Sequence, residues 1–303
     1  MSEASLEFVA ASKWYGQVSA LTDVSVAVGP GVTGLVGQNG AGKSTMMKLA
    51  CGIIRPSFGQ VTVMGSSPSE AATRRFMGYA ADVDRYYERQ SGVVFVTWML
   101  RLSGFAGGAA RKRAEQLLHE LGLGENMHRR IDTYSKGMRQ RVKLAVALGH
   151  DPRVLLLDEP LTGLDPVARQ DMIELMRRLG DEGVTVLVSS HVLHELQSVV
   201  SQVVLVHQGR LLAKGSVAEI REQINDRPRR ILLTTEQPRA LAGRLFEEPG
   251  ITSVTVQDRG VEIATAGGAS VDQFLTQLGV DGLVSELTAL DDSLESVFGY
   301  LVK

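Results

Sequence analysis

Residues 37–45 read Gly-Gln-Asn-Gly-Ala-Gly-Lys-Ser-Thr and match the pattern G-x-x-x-x-G-K-[ST] without a mismatch. Val32-Thr33-Gly34-Leu35-Val36 precedes the run as a short apolar segment suited to a buried strand, and Thr45-Met46-Met47-Lys48-Leu49-Ala50 follows it with good helix formers. Strand, glycine loop and helix in that order turn successive backbone N–H groups toward one point. The helix N-terminus adds partial positive charge there. Gly40 and Gly42 let the backbone approach a ligand closely. Lys43 has the reach for β- and γ-phosphates, and the Ser44 hydroxyl suits Mg²⁺. The run therefore predicts a nucleoside triphosphate site cradled by Gly37, Gln38, Asn39, Gly40, Ala41, Gly42, Lys43, Ser44 and Thr45.

Residues 154–160, Val-Leu-Leu-Leu-Asp-Glu-Pro, form an apolar run closed by two acids and a proline. Such a run suits a strand buried on both faces of a parallel sheet. Asp158 at its carboxyl end is placed to hold Mg²⁺ through water, which leaves Glu159 free to take a proton from a water attacking the γ-phosphate. Binding alone needs only one acid there. Hydrolysis needs two. Taken by itself, the segment reads equally as a core strand ending in a solvated acidic turn.

Three further segments stand in a telling order around this strand. Tyr134-Ser135-Lys136-Gly137-Met138 precedes it, Gly163-Leu164-Asp165-Pro166 follows it, and Ser189-Ser190-His191 closes the next apolar strand, expected over Val184 to Val188. Together with the phosphate loop they resemble the ATP-binding subunit of ABC transporters over residues 6 to about 220. The resemblance implies an α/β P-loop NTPase fold with a helical signature subdomain over about 83–150, within an ATP-binding domain of residues 1–224. It makes 37–45 the Walker A motif, 154–159 Walker B, 134–138 the signature, 164–165 the D-loop and His191 the switch histidine. ATP and Mg²⁺ are the implied ligands. Ser135, Lys136, Gly137 and Met138 then contact the nucleotide of a second ATPase subunit, an identical copy or a close paralogue. Tyr15, in Lys13-Trp14-Tyr15-Gly16, matches an adenine-stacking aromatic, with packing on a sheet edge as the plain alternative.

The wording of the signature is similar to that of exporter ATPases that pair with a separate six-helix permease. Two positions depart from the family pattern. Met138 replaces a glutamine, and Asp82, after Met77-Gly78-Tyr79, stands where a glutamine would touch Mg²⁺ and the permease. Asp82 is read as a working substitute, against a loop aspartate that caps a turn. The permease is expected to dock along Asp82 to Leu102, where Tyr86, Tyr87, Phe95 and Trp98 gather, with Tyr86 and Tyr87 as the better candidates. An importer subunit and a soluble ABC ATPase are the rival readings.

Composition bounds the rest. The 303 residues are 44% hydrophobic, yet no apolar run reaches the roughly eighteen residues of a spanning helix. Membrane contact is expected only through the permease, on the cytoplasmic side. A net charge of −2 gives no electrostatic case for nucleic-acid binding. Cys51 is the only cysteine and reads as an inert core thiol. His191 and His194 lack a third ligand nearby, so a zinc site is not expected. Arg111, Lys112 and Arg113 read as a solvated helix face. Past a polar linker at 225–230 the pattern predicts strand 231–235, helix 238–247, strands 252–257 and 261–265, helix 270–278, strand 283–289 and helix 292–301. That order fits a small α+β, ferredoxin-like accessory domain over 225–303, with Asp292 to Phe298 resembling the end of such domains in the exporter branch.

Overall fold

The computed structural model describes residues 4–84, 86–191, 196–223, 228–265 and 269–290. The predicted helix 292–301, the segment 292–298, His194 and residues 225–227 of the predicted linker lie outside them. The chain divides into two compact units, Met1–Lys214 and Gly215–Lys303.

In the first unit, β1 (Leu6–Tyr15) and β2 (Val18–Val28) pair antiparallel, and β4 (Phe58–Val63) adds on the far side of β1. β1 runs to Tyr15 itself, and Gly16 at φ 60 makes the turn into β2. The second sheet has the order β5-β6-β7-β3-β8-β9, built from β3 (Gly31–Val36), β5 (Met77–Ala80), β6 (Val154–Asp158), β7 (Thr185–Ser190), β8 (Gln202–His207) and β9 (Arg210–Gly215). β3 lies parallel between β7 and β8, so the strand feeding the phosphate loop takes both neighbours from much later in the chain. Val154 to Asp158 are all buried, as an uninterrupted apolar run in a parallel sheet requires. Helix α1 (Lys43–Ala50) joins the two sheets through one core, in which Met46, Met47 and Leu49 meet Phe8, Leu21, Leu35 and Leu156.

After the short α2 (Ala71–Arg74), the helical arm comprises α3 (Gly92–Leu102), α4 (Gly107–Glu120) and α5 (Lys136–Leu148). Helix α6 (Pro166–Asp181) follows β6. Its start is set by chemistry: Asp165 Oδ1 accepts the Val167 and Ala168 amides at 3.1 and 3.0 Å, and Pro166 supplies a pre-set φ at the first position. The apolar face of α4 buries Ala110, Ala114, Leu117 and Leu118. Arg111 pairs with Glu115 at 2.9 Å on the exposed side, whereas Arg113 reaches Asp151, so only part of that basic run is a plain solvated face.

The second unit opens with α7 (Val217–Gln223). Then β10 (Arg229–Thr234), α8 (Pro238–Phe246), β11 (Ile251–Gln257), β12 (Gly260–Thr265), α9 (Ala269–Val280) and β13 (Glu286–Ala289) alternate as β-α-β-β-α-β. The four strands form one antiparallel sheet in the order β11-β12-β10-β13, the ferredoxin-like arrangement expected. Leu233, Val261 and Ile263 of the sheet pack with Leu241, Leu245, Leu275 and Leu278 of the helices.

Candidate functional site

The loop between β3 and α1 is shaped by what its glycines must avoid. A Cβ on Gly37 would sit 2.3 Å from the Val206 carbonyl oxygen, and one on Gly42 would lie 2.7 Å from Leu21 Cδ2 and 2.9 Å from the Ala20 oxygen. Gly40 and Gly42 also hold φ at 82 and 109, where only glycine is unstrained. A two-residue hairpin turn, Gln208-Gly209 with both φ positive, braces the loop from behind. The Gly209 amide donates to Ala41 O at 2.9 Å, and Gly209 O accepts the Thr22 amide at 2.8 Å. No side chain caps α1, so its first amides are left to a ligand.

Lys43 is 6% exposed. Its Nζ donates to Gly37 O at 2.6 Å and Gln38 O at 3.3 Å and stands 3.8 Å from Glu159 Oε1. Burial pulls its pKa below the ordinary value, against the opposing pull of Glu159 and then Asp158. A buried cation on two carbonyls, under uncapped helix amides, is a socket for concentrated negative charge. This fits a triphosphate.

The acidic pair lies at the end of β6. Asp158 is 4% exposed and accepts the Ser189 hydroxyl at 2.6 Å. Glu159 adopts a left-handed φ of 53. Its amide donates to Ser189 Oγ at 3.0 Å, and its Oε2 accepts from Thr162 Oγ1 at 3.2 Å and lies 2.7 Å from His191 Nδ1. Lys43, the Asp158–Glu159 pair and His191, far apart in the chain, are thus brought together. The strand leading to His191 starts one residue later than expected, at Thr185, and runs on through Ser189 and Ser190. Ser189 served in the sequence only to mark a motif. Its hydroxyl contacts were missed, since nothing in one strand tells which carboxylate lies beside it in the next.

Among the described residues no three His, Cys, Asp or Glu side chains form a metal cage. Mg²⁺ seldom uses one; it keeps waters and phosphate oxygens and takes one or two protein ligands. One hydroxyl, Ser44, and one carboxylate, Asp158, are donors of that kind.

The remaining predicted residues lie elsewhere. Ser135 caps α5, its oxygen accepting the Met138 amide at 3.3 Å, which leaves the hydroxyl proton free to donate. Lys136 folds over the loop after β6, where a Cβ on Gly163 would come 2.7 Å from its Nζ. Gly137 is backed by Ala168 and Leu164 of the same region. Asp82 is exposed past the end of β5, and its loop is tethered by Lys143, which donates to Ala81 O at 3.0 Å and pairs with Asp84 at 2.9 Å. Tyr15 is about half exposed, with Lys13 Nζ 5.5 Å from its ring centroid. Cys51 is half-buried, and burial raises its thiol pKa well above the ordinary value. Of the four aromatics after Asp82, Phe95 is core, and Tyr86 is half-buried with its hydroxyl donating to Arg139 O at 2.7 Å. Tyr87 and Trp98 are the exposed pair, packed edge to face with centroids 5.8 Å apart. Tyr86 is therefore corrected from a surface candidate to a joint between the loop and α5.

A glycine loop that ends in a buried lysine beside paired acids, on a parallel sheet with a helical arm, defines a phosphate-loop ATPase. Comparison with known proteins narrows this. The family model described as ABC transporter matches residues 21–162. The daunorubicin/doxorubicin resistance ATP-binding protein DrrA of Streptomyces peucetius is 36% identical over 236 residues, 76% of this chain and 70% of that one. The bacitracin transport ATP-binding protein BcrA of Enterococcus faecalis is 28% identical over 297 residues, 96% of this chain and 93% of that one. A solved ATP-binding subunit of an ABC transporter covers 72% of this chain and 92% of its own length, at 31% identity and a TM-score of 0.62. The chain belongs to the ATP-binding subunits of ABC transporters, a family of ATPases. No helix among the described residues is long and apolar enough to cross a membrane.

Proposed function

We propose that this chain hydrolyses ATP to drive an exporter whose membrane path is formed by a separate permease. The observation that carries the reading is the chain of contacts from Lys43 through Glu159 to His191, at 3.8 and 2.7 Å. In this reading Glu159 is the base, His191 the imidazole that orients it and Lys43 the phosphate-binding cation, and their contacts support that division of roles. Export is favoured by the resistance and antibiotic-transport relatives, and the match to BcrA runs through both units of the chain.

In this reading the phosphate loop holds the triphosphate and Tyr15 stacks on the base. Ser44 and Asp158, the latter through water, would hold Mg²⁺, with Asp82 at the edge of its shell; the ion would supply charge neutralisation at the phosphate oxygens. Glu159 takes the proton of the attacking water, held in line by His191. Two subunits close head to tail, so that Ser135 and the Gly137 amide of one, with Lys136 and Met138 beside them, face the γ-phosphate bound by the other. Closure moves the permease, which docks beside Tyr87 and Trp98 at the cytoplasmic face of the membrane. The permease selects the cargo.

Purification of the native complex, with assay of compounds that stimulate turnover, tests the whole. Co-purification with a membrane permease is expected, and a soluble complex lacking one would overturn it. Within that preparation Glu159→Gln should keep ATP binding, lower turnover about a hundredfold or more, and accumulate a closed ATP-bound dimer. Near-normal turnover would remove Glu159 as the base.

A further inference from the structure

Ser189 lies one residue before the end of β7 and has no exposed surface. The register sets Asp158 of β6 directly beside it. Its hydroxyl makes two bonds at once, donating to Asp158 Oδ1 at 2.6 Å and accepting the Glu159 amide at 3.0 Å. A hydroxyl has one proton and two lone pairs, so the bonds do not compete. Their directions are fixed, because a carboxylate only accepts and an amide only donates. The amide so held belongs to a residue at φ 53, a backbone state that a non-glycine residue keeps only when its surroundings impose it. Two residues beyond Ser189, His191 meets the carboxylate of that same Glu159 at 2.7 Å. The end of β7 thus holds Glu159 at both its backbone and its side chain, and holds Asp158 as well.

We infer that Ser189 is a positioning residue for both acids: one hydroxyl fixes the Asp158 carboxylate, leaving its second oxygen for the metal's water, and pins the Glu159 backbone so that its carboxylate faces His191 and Lys43. An alanine would fit the strand, since the neighbours Val186, Leu187 and Val188 are apolar. It would leave a buried carboxylate short of a donor and a partly buried amide without an acceptor. The hydroxyl is there for its two bonds. This inference rests on the roles proposed above for Asp158 and Glu159.

The test uses the full chain carrying Ser189→Ala, with Ser189→Thr as the variant that keeps the hydroxyl. The alanine variant should lose about 10- to 100-fold in kcat, the usual range for a residue that orients a metal ligand, with KM for ATP little changed. The Mg²⁺ concentration giving half of the ATP-induced thermal stabilisation should rise about tenfold, while stabilisation by ATP in EDTA stays at the wild-type level. Ser189→Thr should restore both readouts. Turnover of the alanine variant within about twofold of wild type, or a threonine variant as impaired as alanine, would overturn the inference. Ser189→Ala placed in a Glu159→Gln background should still shift the Mg²⁺ midpoint, because that readout passes through Asp158; no shift there would remove the grip on Asp158. Normal turnover of Glu159→Gln alone would instead sink the base assignment and leave the Mg²⁺ result standing.

Discussion

Lys43 shows how one residue ties the fold's stability to its ligand. Its ammonium is buried on two carbonyls, and burial lowers its pKa from 10.5. Between that lowered value and 10.5 the native state binds fewer protons than the unfolded chain. The stability of the nucleotide-free protein should therefore rise with pH through that window. In Lys43→Met the Lys43 part of that rise should vanish, as read from chemical denaturation at stepped pH. ATP at a hundredfold excess over Kd adds about 2.7 kcal/mol to the wild type, which for a domain of this size raises Tm by about 5–10 °C. Lys43→Met should lose nearly all of that shift in a thermal scan, and a retained shift would contradict the assignment. Lys43 was legible in the sequence because its motif is contiguous: loop, lysine and helix start are read in one stretch. Ser189 was not, since its partners lie about thirty residues away in the neighbouring strand, and only the β6–β7 register brings them together.

At the scale of elements, local chemistry set the boundaries where a polar residue has one evident task. Asp165 and Pro166 announce α6, and the helix begins there. Asp165→Ala would orphan the Val167 and Ala168 amides and should cost about 1 kcal/mol, read from the urea midpoint of the ATP-free protein. A midpoint equal to wild type would show that the cap contributes nothing. Where a side chain carries both an apolar body and a polar tip, the sequence misled. Tyr86 sits among charged neighbours and reads as surface, yet its ring meets Phe95 edge to face at 5.4 Å and its hydroxyl finds a carbonyl on α5. The charged loop satisfies itself around it: Arg139 pairs with Glu88, and Lys143 with Asp84. The ferredoxin-like elements were legible for the opposite reason. Apolar and polar positions separate along them, as Val261 and Ile263 do against Glu262 in β12, and β11 and β12 form a local hairpin, although β10 takes β12 and β13 from farther along the chain.

For the molecule as a whole, the division at Lys214 leaves every residue of the proposed ATP site in the first unit. A chain ended after Lys214 should keep an ATP-dependent, Lys43-dependent rise in Tm, whereas one ended after Val200 should lose it. The difference is β8 and β9 with the hairpin turn between them. Without them β3 lacks one of its two neighbours, and the Ala41 carbonyl and the Thr22 amide lose the Gly209 backbone that holds them. An ATP response in the shorter chain would show the loop to be self-supporting. The same bracing has a consequence for synthesis. The glycine loop leaves the ribosome early, but its brace is translated roughly ten to thirty seconds later, at ordinary elongation rates. On the expectation above, the nascent chain carries the whole motif and no working site throughout that interval. ATP capture would then report that translation has passed Gly209, and fragments released earlier would be silent toward nucleotide although they bear the most recognisable stretch of the chain.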